Sequence, residues 1–60
     1  MTFGELRSII SYGQLIEFYD QRSNTIMSQT ICKDINENWN KFKVTCIFTR
    51  GSSMIIRLFV

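Results

Sequence analysis

The residues in this chain that could do chemistry are few, and their types limit it sharply. Trp39, Lys41, Phe42 and Lys43 interleave aromatic rings with cations. Stacking platforms beside phosphate-binding cations are how single-stranded nucleic acid is held, and Arg57 would extend such a surface. Glu17, Tyr19 and Asp20 bring two carboxylates and a phenol close together, the raw material of acid–base work, although any exposed strand end shows the same groups. Asp34 and Glu37 form a second carboxylate pair, better explained as helix capping than as metal binding. Histidine is absent, which removes the commonest general base and the commonest metal ligand. Cys32 and Cys46 cannot complete a structural zinc site within one chain. No Gly-rich phosphate loop, paired-cysteine spacing or nucleophile motif occurs. The expectation is a non-enzymatic protein with no cofactor and no bound metal. The enzyme reading that survives is a DNA-nicking nuclease using carboxylates at a subunit interface.

Composition bounds the rest. Sixty residues make a single domain spanning 1–60, and a chain of this size buries only about 60% of the surface it exposes when unfolded. Dimerisation is a common remedy for so thin a stability margin. Two cysteines in apolar-patterned stretches read as small core residues rather than a disulfide framework. A hydrophobic content of 45% with 20% charged residues indicates an ordered globular protein. Seven cations against five anions fall short of the excess that phosphate neutralisation usually brings, which counts against the nucleic-acid reading. No apolar run is long enough to span a bilayer and no secretory pattern opens the chain, so a cytoplasmic protein without membrane contact is expected.

The elements that must position these residues are legible from periodicity and turn chemistry. Thr2 and Glu5 form a capping box opening a helix over residues 2–11, with Phe3, Leu6, Ile9 and Ile10 as its apolar stripe, Arg7 on the wet side and Gly13 as its stop. Residues 14–20 alternate as a strand with Ile16 and Phe18 on one side. The cluster from Asp20 to Asn24 is a turn, and residues 25–31 return as a weaker edge strand. Asp34 to Glu37 repeats the capping pattern, and Ile35, Trp39 and Phe42 follow at helical spacing; one or two helical turns compete here with a loop containing a 3₁₀ turn.

Residues 43–60 read as a β-hairpin around Gly51-Ser52-Ser53, in one of two registers. A two-residue loop pairs Phe48 with Ile55 and groups Val44, Cys46, Phe48, Ile55, Arg57 and Phe59 on one face. A three-residue loop instead groups Val44, Cys46, Phe48, Met54, Ile56, Leu58 and Val60. Turn chemistry favours the first and face segregation the second, and a bulge would reconcile them. Either register leaves large apolar groups on both faces, which points to self-association as a dimer or tetramer through Ile47, Met54, Ile56, Leu58, Phe59 and Val60. The fold class is α+β: a short N-terminal helix on a four-stranded antiparallel sheet, in the order helix, two strands, short helical connection, two strands.

The opening Met1-Thr-Phe-Gly-Glu-Leu-Arg-Ser-Ile-Ile10, the segments Ile16–Asp20, Lys33–Ile35 and Lys43–Ile47, and the closing Ile55–Val60 together resemble the layout of small proteins encoded by bacteriophages and prophages. That resemblance implies an accessory factor that blunts host immunity, of anti-CRISPR or other anti-defence type, or a small oligomeric nucleic-acid binder, acting in the cytoplasm of a bacterial host. The expected function is a homo-oligomeric binding module that inhibits a host protein, with Tyr12, Tyr19, Arg22 and Arg50 as partner-binding residues because Tyr and Arg dominate interface hot spots. The alternative is a nucleic-acid binder using Trp39, Lys41, Lys43 and Arg57.

Overall fold

The capping box at Thr2 and Glu5 nucleates the chain's one α-helix, α1 (Phe3–Arg7). The computed structural model describes residues 1–60. The Thr2 hydroxyl accepts from the Glu5 amide at 3.4 Å, and the Glu5 carboxylate accepts from the Thr2 amide at 2.9 Å. These bonds hold the Glu5 carboxyl below its ordinary pKa of 4.5, the Thr2 amide contributing most and the Thr2 hydroxyl next. The resulting stabilisation is present above the unfolded pKa and lost as pH falls through the folded one. In a carbon-detected NMR titration Glu5 is expected to titrate below 4.5, and Thr2→Val to move it back up.

The helix is shorter than its apolar stripe implied. It ends at Arg7, where the Ser8 hydroxyl donates to the Glu5 carbonyl at 2.8 Å and the chain continues in two tight turns to Ile10. Serine bonding back to the preceding turn competes with helix propagation. Ile9 is consequently 78% exposed, only Phe3, Leu6 and Ile10 of the stripe face the core, and Gly13 plays no part in the stop.

Four strands follow: β1 (Leu15–Asp20), β2 (Ile26–Ile31), β3 (Lys43–Arg50) and β4 (Ser53–Phe59). The β1–β2 turn uses Asn24 at φ 56° and the Asp20 carboxylate, which accepts from the Arg22 amide. Between β2 and β3 the short helical connection consists of two 3₁₀ turns, Cys32–Asp34 and Glu37–Lys41. The cap of the second is Asn36, accepting from the Asn38 amide, not Asp34; Asp34 lies inside the first turn.

The sheet order is β2-β1-β4-β3, and its centre corrects the all-antiparallel expectation. Each hairpin is antiparallel within itself, but β4 lies beside β1 in parallel, so the sheet is mixed. The reason lies in composition. Met54-Ile-Ile-Arg-Leu58 is a nearly continuous apolar run, which suits a strand with neighbours on both sides, whereas β3 carries Lys43, Thr45, Thr49 and Arg50 and takes the edge.

The hairpin takes the two-residue-loop register, and a bulge regroups only its far end. Gly51, at φ 61°, occupies the first position of a two-residue loop, where a II′-type turn needs a positive φ, and Phe48 pairs with Ile55. A bulge at Thr45 then shifts the ladder so that Val44 meets Leu58. The Thr45 hydroxyl donates to the Gln21 side chain at 2.7 Å, fixing the bulge to the β1–β2 turn.

The core lies on one face of this sheet. Phe3, Leu6, Ile16, Phe18, Cys32, Ile35, Ile56 and Leu58 form a single buried cluster. An aromatic series runs through it: Phe3 meets Phe18 edge-on at 4.8 Å, Phe18 stacks on Trp39 at 4.8 Å, and Trp39 meets Phe42 edge-on at 5.6 Å. Gly4 lets α1 approach the second 3₁₀ turn, since a Cβ there would stand 3.0 Å from the Asn40 Cβ.

Candidate functional site

Because β4 alternates, its even-numbered residues enter the core and its odd-numbered ones face away. Ile56 and Leu58 are fully buried within one chain, and Met54 and Val60 are half-buried against the same cluster. Ile56 and Leu58 are therefore closed to a second copy, because the β1–β4 seam places them beneath α1 and the 3₁₀ turns. Of the expected interface, only Ile47 and Phe59 remain exposed.

The opposite face of the sheet carries no helix. Its residues come from register: Ile31 and Gln29 on β2, Leu15, Glu17 and Tyr19 on β1, Ser53, Ile55, Arg57 and Phe59 on β4, and Phe48 and Cys46 on β3. At the centre Ile55 is only 1% exposed yet lies outside the main core cluster, flanked by Glu17 on one side and Phe48 on the other. Beside it Phe48 is exposed, Ile31 and Phe59 are exposed farther out on the face, and so is Cys46, which the apolar pattern had suggested was buried. The two-residue hairpin loop sets the parity that turns Cys46 outward. Most of this face was legible as the first of the two register groupings; what periodicity alone could not say is which grouping the helix would cover.

The four partner-binding residues do not form one patch. Tyr12 and Arg50 stand at the end of the sheet where β1 and β4 begin, with the Tyr12 carbonyl accepting from the Lys33 amide. Tyr19 and Arg22 stand at the other end, roughly 17 Å away at the rise of a strand. Arg22 is also occupied: its guanidinium lies 5.6 Å from the Phe59 ring centroid and donates to the Val60 carbonyl at 3.0 Å. It clamps the end of β4 across the β1–β2 turn.

The aromatic–cation set is likewise divided. Trp39 spends one ring face on Phe18 and makes a T-shaped contact with Phe42, so it is a half-buried core residue and not a free stacking platform. Lys41 lies over the Phe42 ring at 5.7 Å on the covered side, whereas Arg57 projects from the uncovered face beside Tyr19 and Cys46. The carboxylates do not converge either. Glu17 is on the uncovered face, while Asp20 caps its own turn and pairs in register with Leu58 on the covered one. No three acidic or cysteine side chains gather at a common point.

Compared with protein-family models, with curated proteins and with solved structures, the chain matches none.

One functional-looking residue proves structural. Arg7, expected on the wet side of α1, turns inward, and its guanidinium donates to the Ile35 carbonyl at 2.6 Å, the Asn40 Oδ1 at 3.1 Å and the Cys32 carbonyl at 3.3 Å. It borders a shallow depression shared with Gly4, Ser8, Ile10 and Tyr12, but its donors are spent on the connection between β2 and β3.

Proposed function

We propose that this chain is a non-enzymatic, homo-oligomeric binding module that inhibits another protein by contact. The observation that carries the reading is the uncovered sheet face: a buried isoleucine, Ile55, paired with exposed Phe48, with exposed Ile31 and Phe59 farther out on the same face and no second layer over it. Packing two such faces together supplies that layer from a second copy, at the ~10 Å spacing of a sheet sandwich. The resemblance to phage and prophage accessory proteins supplies the class of target, a host defence protein met in the bacterial cytoplasm.

Light scattering tests the oligomer. The wild-type chain is expected at a multiple of 7.1 kDa, and Phe48→Asp at the single-chain mass with an unchanged circular dichroism spectrum. Phe48 is the informative position because it is exposed, whereas an aspartate at Ile56 would unfold the core. Thiol reactivity gives an independent readout, since Cys46 is exposed on the same face and Cys32 is fully buried. Cys46 should react faster in Phe48→Asp than in wild type. A wild-type chain that is monomeric at high micromolar concentration would overturn the oligomeric part of the proposal.

A further inference from the structure

The binding reading leaves open which outer surface meets the target, and β3 supplies one on which that reading can be deepened. β3 is the longest strand, lies at the sheet edge, and is exposed at every residue except Val44. Its first residues are already occupied. The Val44 amide donates outward to the Met1 carbonyl at 2.8 Å, and the Phe3 amide donates to the Phe42 carbonyl at 2.9 Å, so the N-terminal segment pairs with the start of the edge. Beyond the Thr45 bulge nothing covers it. In a hairpin with a two-residue loop the flanking pair, here Arg50 and Ser53, is hydrogen-bonded. The alternate residues Thr49 and Ile47 therefore turn their amide and carbonyl groups outward.

Charge selects the occupant. Residues 43–59, the whole of β3 and β4, carry Lys43, Arg50 and Arg57 and no carboxylate; all five acidic residues lie between Glu5 and Glu37. A second copy's β3, laid antiparallel along this edge, would bring cationic ends against cationic ends, and like charges across a strand pair are unfavourable. Such charges are one way in which sheet edges avoid pairing with themselves. The same charges favour a strand whose ends are acidic.

We propose that the Thr45–Arg50 edge of β3 binds an extended, acid-flanked segment of the target protein, which adds to the sheet as a fifth strand. Backbone hydrogen bonds to Ile47 and Thr49 supply the register, Ile47 and Phe48 on opposite faces supply apolar contact, and Arg50 and Lys43 select the acidic ends.

The test uses two seven-residue peptides of alternating valine and threonine, one ended by aspartates and one by lysines, titrated into isotopically labelled protein. The acidic peptide should shift the amides of residues 45–50 and bind at least about tenfold more tightly than its basic twin at low salt, with the difference shrinking as salt rises. Thr49→Pro deletes an outward amide that the hairpin does not use, so it should abolish binding while the spectrum and mass stay unchanged. Arg50→Glu should reverse the charge preference. Shifts confined to β2 or to the Ile55 face, equal binding of both peptides, or binding retained by Thr49→Pro would each overturn the proposal. So would an edge already protected from hydrogen exchange by a second copy, or a single-stranded oligonucleotide that displaces the acidic peptide. If only the edge fails, Thr49→Pro still forms the oligomer and captures the same protein as wild type; if the binding reading fails, neither oligomer nor capture is seen.

Discussion

Phe18→Ala should leave the chain largely unfolded at room temperature. Phe18 is fully buried and touches the aromatic series on two sides, Phe3 edge-on and Trp39 face-on. Emptying such a site costs about 3–5 kcal/mol, which combines the lost transfer energy with that of the cavity left behind. A single core of this size rarely supplies more than about 3–5 kcal/mol of net stability. The loss therefore equals or exceeds what is available. Urea denaturation followed by circular dichroism would show no folded baseline for Phe18→Ala, while Phe18→Leu, which fills part of the volume, should keep a transition at lower urea. Trp39 fluorescence should shift to the red in both, because its stacking partner is gone.

The second large effect is expected at Arg7. Arg7→Met keeps the aliphatic stem but removes every donor, leaving the Cys32 and Ile35 carbonyls and the Asn40 side-chain oxygen without the guanidinium. The Cys32 carbonyl keeps the Ile35 amide, and the expected loss is about 2–3 kcal/mol, since the partly buried Ile35 carbonyl and Asn40 oxygen left unpaired carry their desolvation cost. Arg7→Lys should lose less than Met but remain well below wild type, because an ammonium cannot span three acceptors held in a fork. The partners are neutral oxygens, so added salt should change these differences little. A salt-sensitive loss would mean that Arg7 acts through an ion pair instead.

These two residues mark where the sequence was readable and where it was not. Phe18 could be assigned to the core from strand alternation alone, and the Thr2–Glu5 box and the Gly51 turn could be read as local chemistry involving neighbours in the chain. Arg7 could not. Its placement on the wet side assumed a helix continuing through Ser11, and the side chain turns inward because its acceptors come from a connection more than twenty residues away. The same limit explains the strand order. Periodicity assigns faces within a strand but says nothing of which strands are neighbours, so the parallel seam and the burial of Ile56 and Leu58 follow only from tertiary structure. Trp39 is an intermediate case: its spacing from Ile35 and Phe42 suited a core residue and its neighbouring lysines a platform, and only the fold, with 3₁₀ turns there, packs it half-buried against the core.

The parallel β1–β4 seam also governs how this molecule comes into being. The Gln14 side chain bonds to the Ser52 carbonyl across 38 residues, and every β1–β4 pair spans a similar gap. Each hairpin closes a short loop and can form locally, but neither holds both halves of the core. Phe18 can meet Phe3 and Trp39 without β4, but the cluster around Ile16 and Phe18 is closed only when Ile56 and Leu58 arrive. The entropic cost of closing that long loop must therefore be met before its contacts begin to compensate. During synthesis, a nascent chain that has not yet made β4 possesses six of its seven secondary structure elements and no completed core. The order of events is fixed by topology: β4, made after the elements it joins, is the strand that turns the collapsed chain into a folded protein.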